Sequence, residues 1–262
     1  MPIVRSFGEL PPADSAARLD DGAAWRVPEE TPVAFVYNGR NYAVMLATPL
    51  DLADFAVGFS LTERIVNAPG EIAAIDIHAS ERGVEFRIGI AAARLERFDV
   101  RQQRRNIVGR TGCGVCGLEN AETFFETLPR VAEEKQRVGA AALTRALNEL
   151  PSRQPLNERT RTVHAAAWAG LDGAVRLVRE DVGRHNALDK LLGALALAGA
   201  DMRDGFVLMS SRCSYEIVEK AARRGVRTVA AISAPTAFAL RKAREANIAL
   251  YARAGDGFVE VA

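Results

Sequence analysis

The chain has 262 residues, 48% of them hydrophobic and 26% charged, an ordinary composition for a globular protein of one large or two modest domains. Twenty-one glycines and 11 prolines exclude a collagen-like or disordered class, and three cysteines do not make a disulfide framework. A net charge of +1 gives no overall attraction to nucleic acid or anionic membrane, and the longest uncharged apolar run, 191–200, is half the ~20 residues a membrane span needs.

The first ten residues carry Arg5 and Glu9 and lack an apolar signal core, so the expectation is a soluble, cytoplasmic protein. Residues 1–30, rich in Pro, Ala and Asp, read as a loosely tied arm. Residues 33–37 and 41–46 read as strands around Asn38-Gly39, a pair that tolerates the positive φ of a tight hairpin turn. Thr48-Pro49-x-Asp51 resembles a helix start, with a hydroxyl N-cap, a proline at the first helical position and an acid in the first turn. Phe55, Phe59, Leu61 and Ile65 follow at helical spacing, and 71–77 and 84–90 form a second predicted hairpin. The first half is therefore α+β.

A polar stretch at 133–137 leads into an alanine-rich helix and predicts a boundary between an N-terminal subdomain, 1–137, and a C-terminal domain, 138–262. Beyond it, 175–179, 206–209, 226–232 and 248–251 are strand-like, and 186–197, 214–224 and 235–246 are helical. Gly225 and Asn247 fall where helix C-caps want left-handed backbone, Ser214 reads as an N-cap, and Pro235 reads as a first helical residue. This alternation predicts an α/β fold with a mostly parallel sheet covered by helices.

In such a sheet, ligands sit outside the carboxyl ends of the strands. The segments predicted there are Glu180-Asp181-Val182-Gly183-Arg184-His185, Ser210-Ser211-Arg212-Cys213-Ser214 and Ser233-Ala234-Pro235-Thr236. Each opens a helix whose first N–H groups suit an anion, and Arg184 and Arg212 add charge suited to phosphate. Helix capping explains any one of these loops alone, but three on one edge favour a pocket. Cys213 reads as a packed thiol, His164 as a partly buried histidine and His78 as a residue without context, whereas His185 shares its loop with Asp181 and Arg184.

The second concentration is Cys113-Gly114-Val115-Cys116, flanked by Gly112 and Gly117. From residue 100 to 118 the only charged residues are Arg101, Arg104, Arg105 and Arg110, a setting that lowers a thiol pKa and raises the attacking thiolate fraction. A structural zinc site needs four ligands, and this motif supplies two, with Cys213, His78, His164 and His185 scattered singly. No His-x-Glu precedes a Pro-Cys-x-x-Cys, so a zinc deaminase is excluded. A thioredoxin-like redox pair stays open. Gly112-x-Gly114-x-x-Gly117 spells a dinucleotide fingerprint, yet only the weak Ile107-Val108 precedes it as a strand. Persulfide or thiol chemistry fits better.

At these residues the sequence resembles the formate dehydrogenase accessory sulfurtransferases, the FdhD family. The resemblance lies in segments 58–63, 109–117, 164–167, 180–193, 210–220 and 233–236, and the run from Glu180 to Lys190 is its most specific part. It implies a cytidine-deaminase-like three-layer α/β C-terminal domain beside a smaller N-terminal α+β subdomain. It implies a sulfur carrier that takes persulfide sulfur from a cysteine desulfurase. The sulfur goes to the molybdenum cofactor bis(molybdopterin guanine dinucleotide), held as a bound substrate and required by formate dehydrogenase. By position the persulfide cysteine falls on Cys113, with Cys116 its partner. The cofactor-binding segment falls on Arg253, Ala254, Gly255, Asp256, Gly257 and Phe258, and the guanine nucleotide arms of the cofactor suit the strand-end loops with Arg212, Ser214 and His185.

Two departures stand out. Thr160-Arg161-Thr162-Val163-His164 replaces the family's usual Thr-Gly-Gly or Thr-Gly-Cys before Thr-His, and the tail lacks a late arginine. The expected assembly is a homodimer without a structural metal. A cofactor-holding chaperone without sulfur chemistry is the alternative, and a zinc-stabilised structural protein comes third.

Overall fold

The computed structural model describes residues 1–18, 24–95, 98, 126–132 and 137–262. The N-terminal half builds a mixed sheet from β1 (Ile3–Phe7), β4 (Thr31–Tyr37), β5 (Arg40–Ala47), β6 (Ile72–Ser80) and β7 (Gly83–Ile90), in the order β1-β6-β7-β4-β5. β2 (Asp14–Arg18) and β3 (Ala24–Pro28) pair separately. Asn38 and Gly39, at φ 47° and 80°, close β4 onto β5 as their chemistry predicts. Residues 1–18 and 24–30 are not a loose arm. β1 adds to the sheet beside β6, where Arg5 pairs with Asp76 at 2.7 Å and Phe7 stacks on His78, and buried Asp14 binds both Arg26 and Arg159.

The sheet buries one face. Val33, Phe35 and Tyr37 alternate inward with Ile75, Phe86 and Ile88 against α1 (Leu52–Thr62), whose Phe55 and Phe59 meet Phe35 at ring separations of 5.2 and 4.1 Å. The helix starts at Leu52, not at Pro49. Thr48 does not cap it, because its hydroxyl accepts a hydrogen bond from Val182 N at 3.1 Å and its own N–H donates to Asp181 at 3.0 Å.

The C-terminal half contributes α2 (Ala140–Glu149), α3 (Pro155–Thr160), β8 (His164–Gly170), β9 (Val175–Asp181), α4 (Arg184–Leu197), β10 (Gly205–Met209), α5 (Tyr215–Arg223), β11 (Thr228–Ala231), α6 (Ala237–Ala246), β12 (Ala249–Ala254) and β13 (Gly257–Glu260). Its six strands run in the order β13-β12-β11-β10-β8-β9. Only β10, β11 and β12 pair in parallel, while β8 and β13 are antiparallel to their neighbours, so the sheet is mixed rather than mostly parallel.

Alternation along the strands makes three layers. Ala165, Ala167, Phe206 and Leu208 face α2, whereas Ala166, Trp168, Val207 and Met209 face α4, α5 and α6. The alanines of β8 are small enough for helices to approach on both sides. Pro235 lies outside α6, which is capped instead by the Thr236 hydroxyl, accepting from Ala239 N at 3.2 Å. Gly225 (φ 73°) and Asn247 (φ 59°) end their helices as expected.

The two halves meet through α1 and α4, both buried along most of their length. They cross at Gly58 and Gly193. A β-carbon at Gly58 would collide with the Asp189 carbonyl oxygen, and one at Gly193 with that of Asp54, so no other residue permits this approach. No helix among the described residues is long and apolar enough to cross a membrane.

Candidate functional site

The strand directions bring one end of β8 and the carboxyl ends of β9, β10, β11 and β12 to a single edge of the six-stranded sheet. His164 opens β8 opposite Asp181, Ser210 follows β10, Ser233 lies just beyond β11, and Arg253 is the penultimate residue of β12, opposite Phe258. The three loops singled out in the sequence therefore share this edge with the β12–β13 turn. Gly255 takes φ 60° in that turn, with Ala254 paired to Gly257. Arg253, Ala254, Gly255 and Asp256 are exposed, while Gly257 and Phe258 are half-buried. Arg253 donates to the Gly255 carbonyl at 3.1 Å.

The 180–185 loop is held from beneath by its own acids. Glu180 accepts from Leu156 N (2.9 Å) and Asn157 N (2.8 Å), capping α3; burial nevertheless pushes its carboxyl above the usual range. Asp181 is fully buried and accepts from Thr48 N, Gly183 N (2.7 Å) and Asn186 Nδ2 (2.9 Å), while pairing with Lys190. Asn186 also donates to the Leu46 carbonyl at 2.8 Å, and Lys190 to that of Thr48 at 2.8 Å. A second buried cluster joins Asp189, Lys220 and Thr62. Burial opposes charge on Lys220, but the Asp189 carboxylate 2.8 Å away, together with Glu63 and Glu216, outweighs it and raises the ammonium pKa. Much of the Glu180–Lys190 run thus fastens one half of the molecule to the other.

Arg184, half-buried, opens α4 and Arg212 lies exposed in the next loop, and among the described residues neither has a carboxylate partner. Nε of Arg184 is buried without a hydrogen-bond partner among the described residues. Among the described residues no side-chain hydrogen bond caps α4 at Gly183 or α5 at Ser214. Ser214 occupies the N-cap position, but its hydroxyl lies 3.2 Å from His185 Nε2, which also meets Glu216 at 2.9 Å. Both contacts fall on one nitrogen, so serine, histidine and glutamate do not form a nucleophile–base–orienter relay. His164 is half-buried; burial and the charges of Arg184, His185 and Arg212 hold its pKa below 6.5. Cys213 is packed in the core, and burial pushes its thiol up to about 12.

Cys113 and Cys116 lie outside the described residues. Glu216 was not legible as a partner of His185, because the contact joins two helix starts 31 positions apart. Nor were Asp189 and Lys220, two charges on α4 and α5 whose mutual approach is wholly tertiary.

Fold and edge define a class: a three-layer α/β protein joined to a second sheet, with a cationic strand edge suited to an anionic ligand. The chain belongs to the FdhD/NarQ family, whose profile matches residues 28–261. It is 51% identical over 252 residues to the sulfur carrier protein FdhD of Chromobacterium violaceum, covering 94% of this chain and 91% of that one. The sulfur carrier protein FdhD of Bordetella petrii is 48% identical over 225 residues, 86% of this chain and 80% of that one. A crystal structure from Desulfotalea psychrophila, of a protein provisionally described as a formate dehydrogenase accessory protein, superposes with a TM-score of 0.70 at 22% identity, over 95% of this chain and 94% of that one.

Proposed function

We propose that the protein is a sulfur carrier of the molybdenum cofactor pathway that serves formate dehydrogenase. Cys113 as thiolate attacks the outer sulfur of a desulfurase persulfide; the donor S–S bond breaks, a new S–S bond forms on Cys113, and the desulfurase thiolate leaves. No electrons are gained or lost overall. The acceptor is the molybdenum of bis(molybdopterin guanine dinucleotide), bound as substrate: attack of the Cys116 thiolate on the Cys113 sulfur would release the outer sulfur as sulfide, the two electrons coming from the two cysteines as they close to a disulfide. Cys116 protects or resolves the persulfide, and the protein acts in the cytoplasm as a homodimer.

The observation that carries this reading is the cationic edge of Arg184 and Arg212 at two uncapped helix starts, in a chain whose relatives are named sulfur carriers. The Arg184 nitrogen, buried without a partner among the described residues, suits a phosphate oxygen, since burial without a bond costs about 1–3 kcal/mol. Arg253, Ala254, Gly255, Asp256, Gly257 and Phe258, with Arg212, Ser214 and His185, are the residues assigned to the cofactor. Formate dehydrogenase activity in cells lacking the native protein tests the sulfur chemistry. Cys113→Ser should restore none, and full restoration would leave only a cofactor-holding chaperone.

A further inference from the structure

His164 is set apart from the other groups of the strand edge. It is the first residue of β8, directly across from Asp181 on β9. Around it on this edge lie Asp181 across on β9, Arg184 and His185 at the start of α4, and Arg212 two residues beyond Ser210, whose hydroxyl accepts from Ala165 N at 2.7 Å; these are also the charged groups that act on its imidazole. Asp181 is the only acid among these, and its carboxylate is already engaged by Lys190 at 2.7 Å and by three N–H donors. His185 has its own carboxylate, Glu216 at 2.9 Å. His164 has neither. It is a half-buried imidazole near guanidinium groups that have no carboxylate partner among the described residues, and both burial and those neighbours disfavour its charged form.

We propose that occupancy of this edge by a nucleoside diphosphate is coupled to uptake of one proton by His164. Negative charge placed between Arg184 and Arg212 cancels the field that keeps the imidazole neutral, and the resulting imidazolium becomes a third cation facing the phosphates. The inference rests on reading the edge as the nucleotide site and gives that site a regulation: tighter holding on the acid side of neutrality and easier release on the alkaline side. It also assigns a ligand-facing role to His164.

The test is calorimetric titration of the full chain with guanosine diphosphate in two buffers of different protonation enthalpy, followed by a pH series above about pH 6.8. The phosphate itself titrates near pH 6, so His164→Asn serves as the reference that removes its contribution. One linked proton changes affinity by at most about tenfold per pH unit. Wild type is expected to take up a proton on binding and to gain about three- to tenfold more affinity per unit of acidification than His164→Asn. Guanosine, which lacks phosphates, should bind without uptake. His164→Gln provides a second substitution, and thermal melting checks that both variants fold. Binding by wild type without proton uptake, or equal uptake in His164→Asn, overturns the inference and leaves the nucleotide site standing. Uptake lost in His185→Asn but kept in His164→Asn overturns it in favour of His185. No binding of guanosine diphosphate by wild type at any pH overturns both the inference and the site.

Discussion

Lys190 Nζ stands 2.7 Å from the Asp181 carboxylate, with both side chains wholly enclosed between the two halves of the molecule. The pair is costly to bury, and its attraction offsets that cost only because further bonds satisfy both groups. Lys190→Met removes one partner and leaves a buried carboxylate. It should destabilise the fold by about 3–5 kcal/mol, read from guanidinium chloride unfolding. Adding Asp181→Leu should not restore stability, because Thr48 N, Gly183 N and Asn186 Nδ2 would all lose their acceptor.

The α1–α4 crossing gives a second expectation. Gly58→Ala drives a methyl into the Asp189 carbonyl, and backbone cannot swing aside as a side-chain end can. Overpacking of this kind costs about 1–3 kcal/mol. Chemical denaturation should show at least that loss, together with weaker nucleotide binding as α4 shifts. Gly39→Ala, in an open turn, should cost far less packing and report mainly the price of positive φ.

Local chemistry was legible in the sequence, and tertiary claims on a residue were not. Asn38-Gly39, Gly225 and Asn247 did what their own backbones allow. The strand-end loops were found because strand–helix alternation fixes which edge they share. Thr48 was misread as a cap because its hydroxyl is claimed by Val182, which is remote in sequence. β8 went unseen because His164-Ala165-Ala166-Ala167-Trp168 lacks the branched residues of a strand, and its pairing is set by burial on both faces. β1 was hidden because all five of its residues are exposed, so no hydrophobic alternation marked it.

Acidification should weaken the native state through His164. Its folded pKa lies below the ordinary 6.5 because of burial and then Arg184 and His185. Below pH 6.5 the unfolded chain therefore binds a proton before the folded one does, and stability falls as pH drops through that window. Thermal melts between neutral and mildly acid pH should show this decline, shallower in His164→Asn. A decline of equal slope in both proteins would assign it to other groups.

Arg212 is exposed and has no carboxylate partner among the described residues, so its charge is available to a phosphate. Losing a charge-assisted hydrogen bond costs about 1.5–3 kcal/mol, roughly ten- to a hundredfold in affinity. Arg212→Ala should weaken guanosine diphosphate binding on that scale while leaving sulfur loading of Cys113 unchanged. Equal affinity in variant and wild type would remove Arg212 from the site.

Sulfur on Cys113 is the central claim, and mass spectrometry tests it most directly. The protein is incubated with a cysteine desulfurase and cysteine, and its peptides are then mapped. A gain of about 32 Da, the mass of one added sulfur atom, is predicted on the peptide containing Cys113. Cys213, buried with its thiol pushed up to about 12, should remain unmodified. The gain should vanish in Cys113→Ser and survive in Cys116→Ser. An unmodified Cys113 peptide after complete reaction, with an active desulfurase in the same tube, would contradict the account.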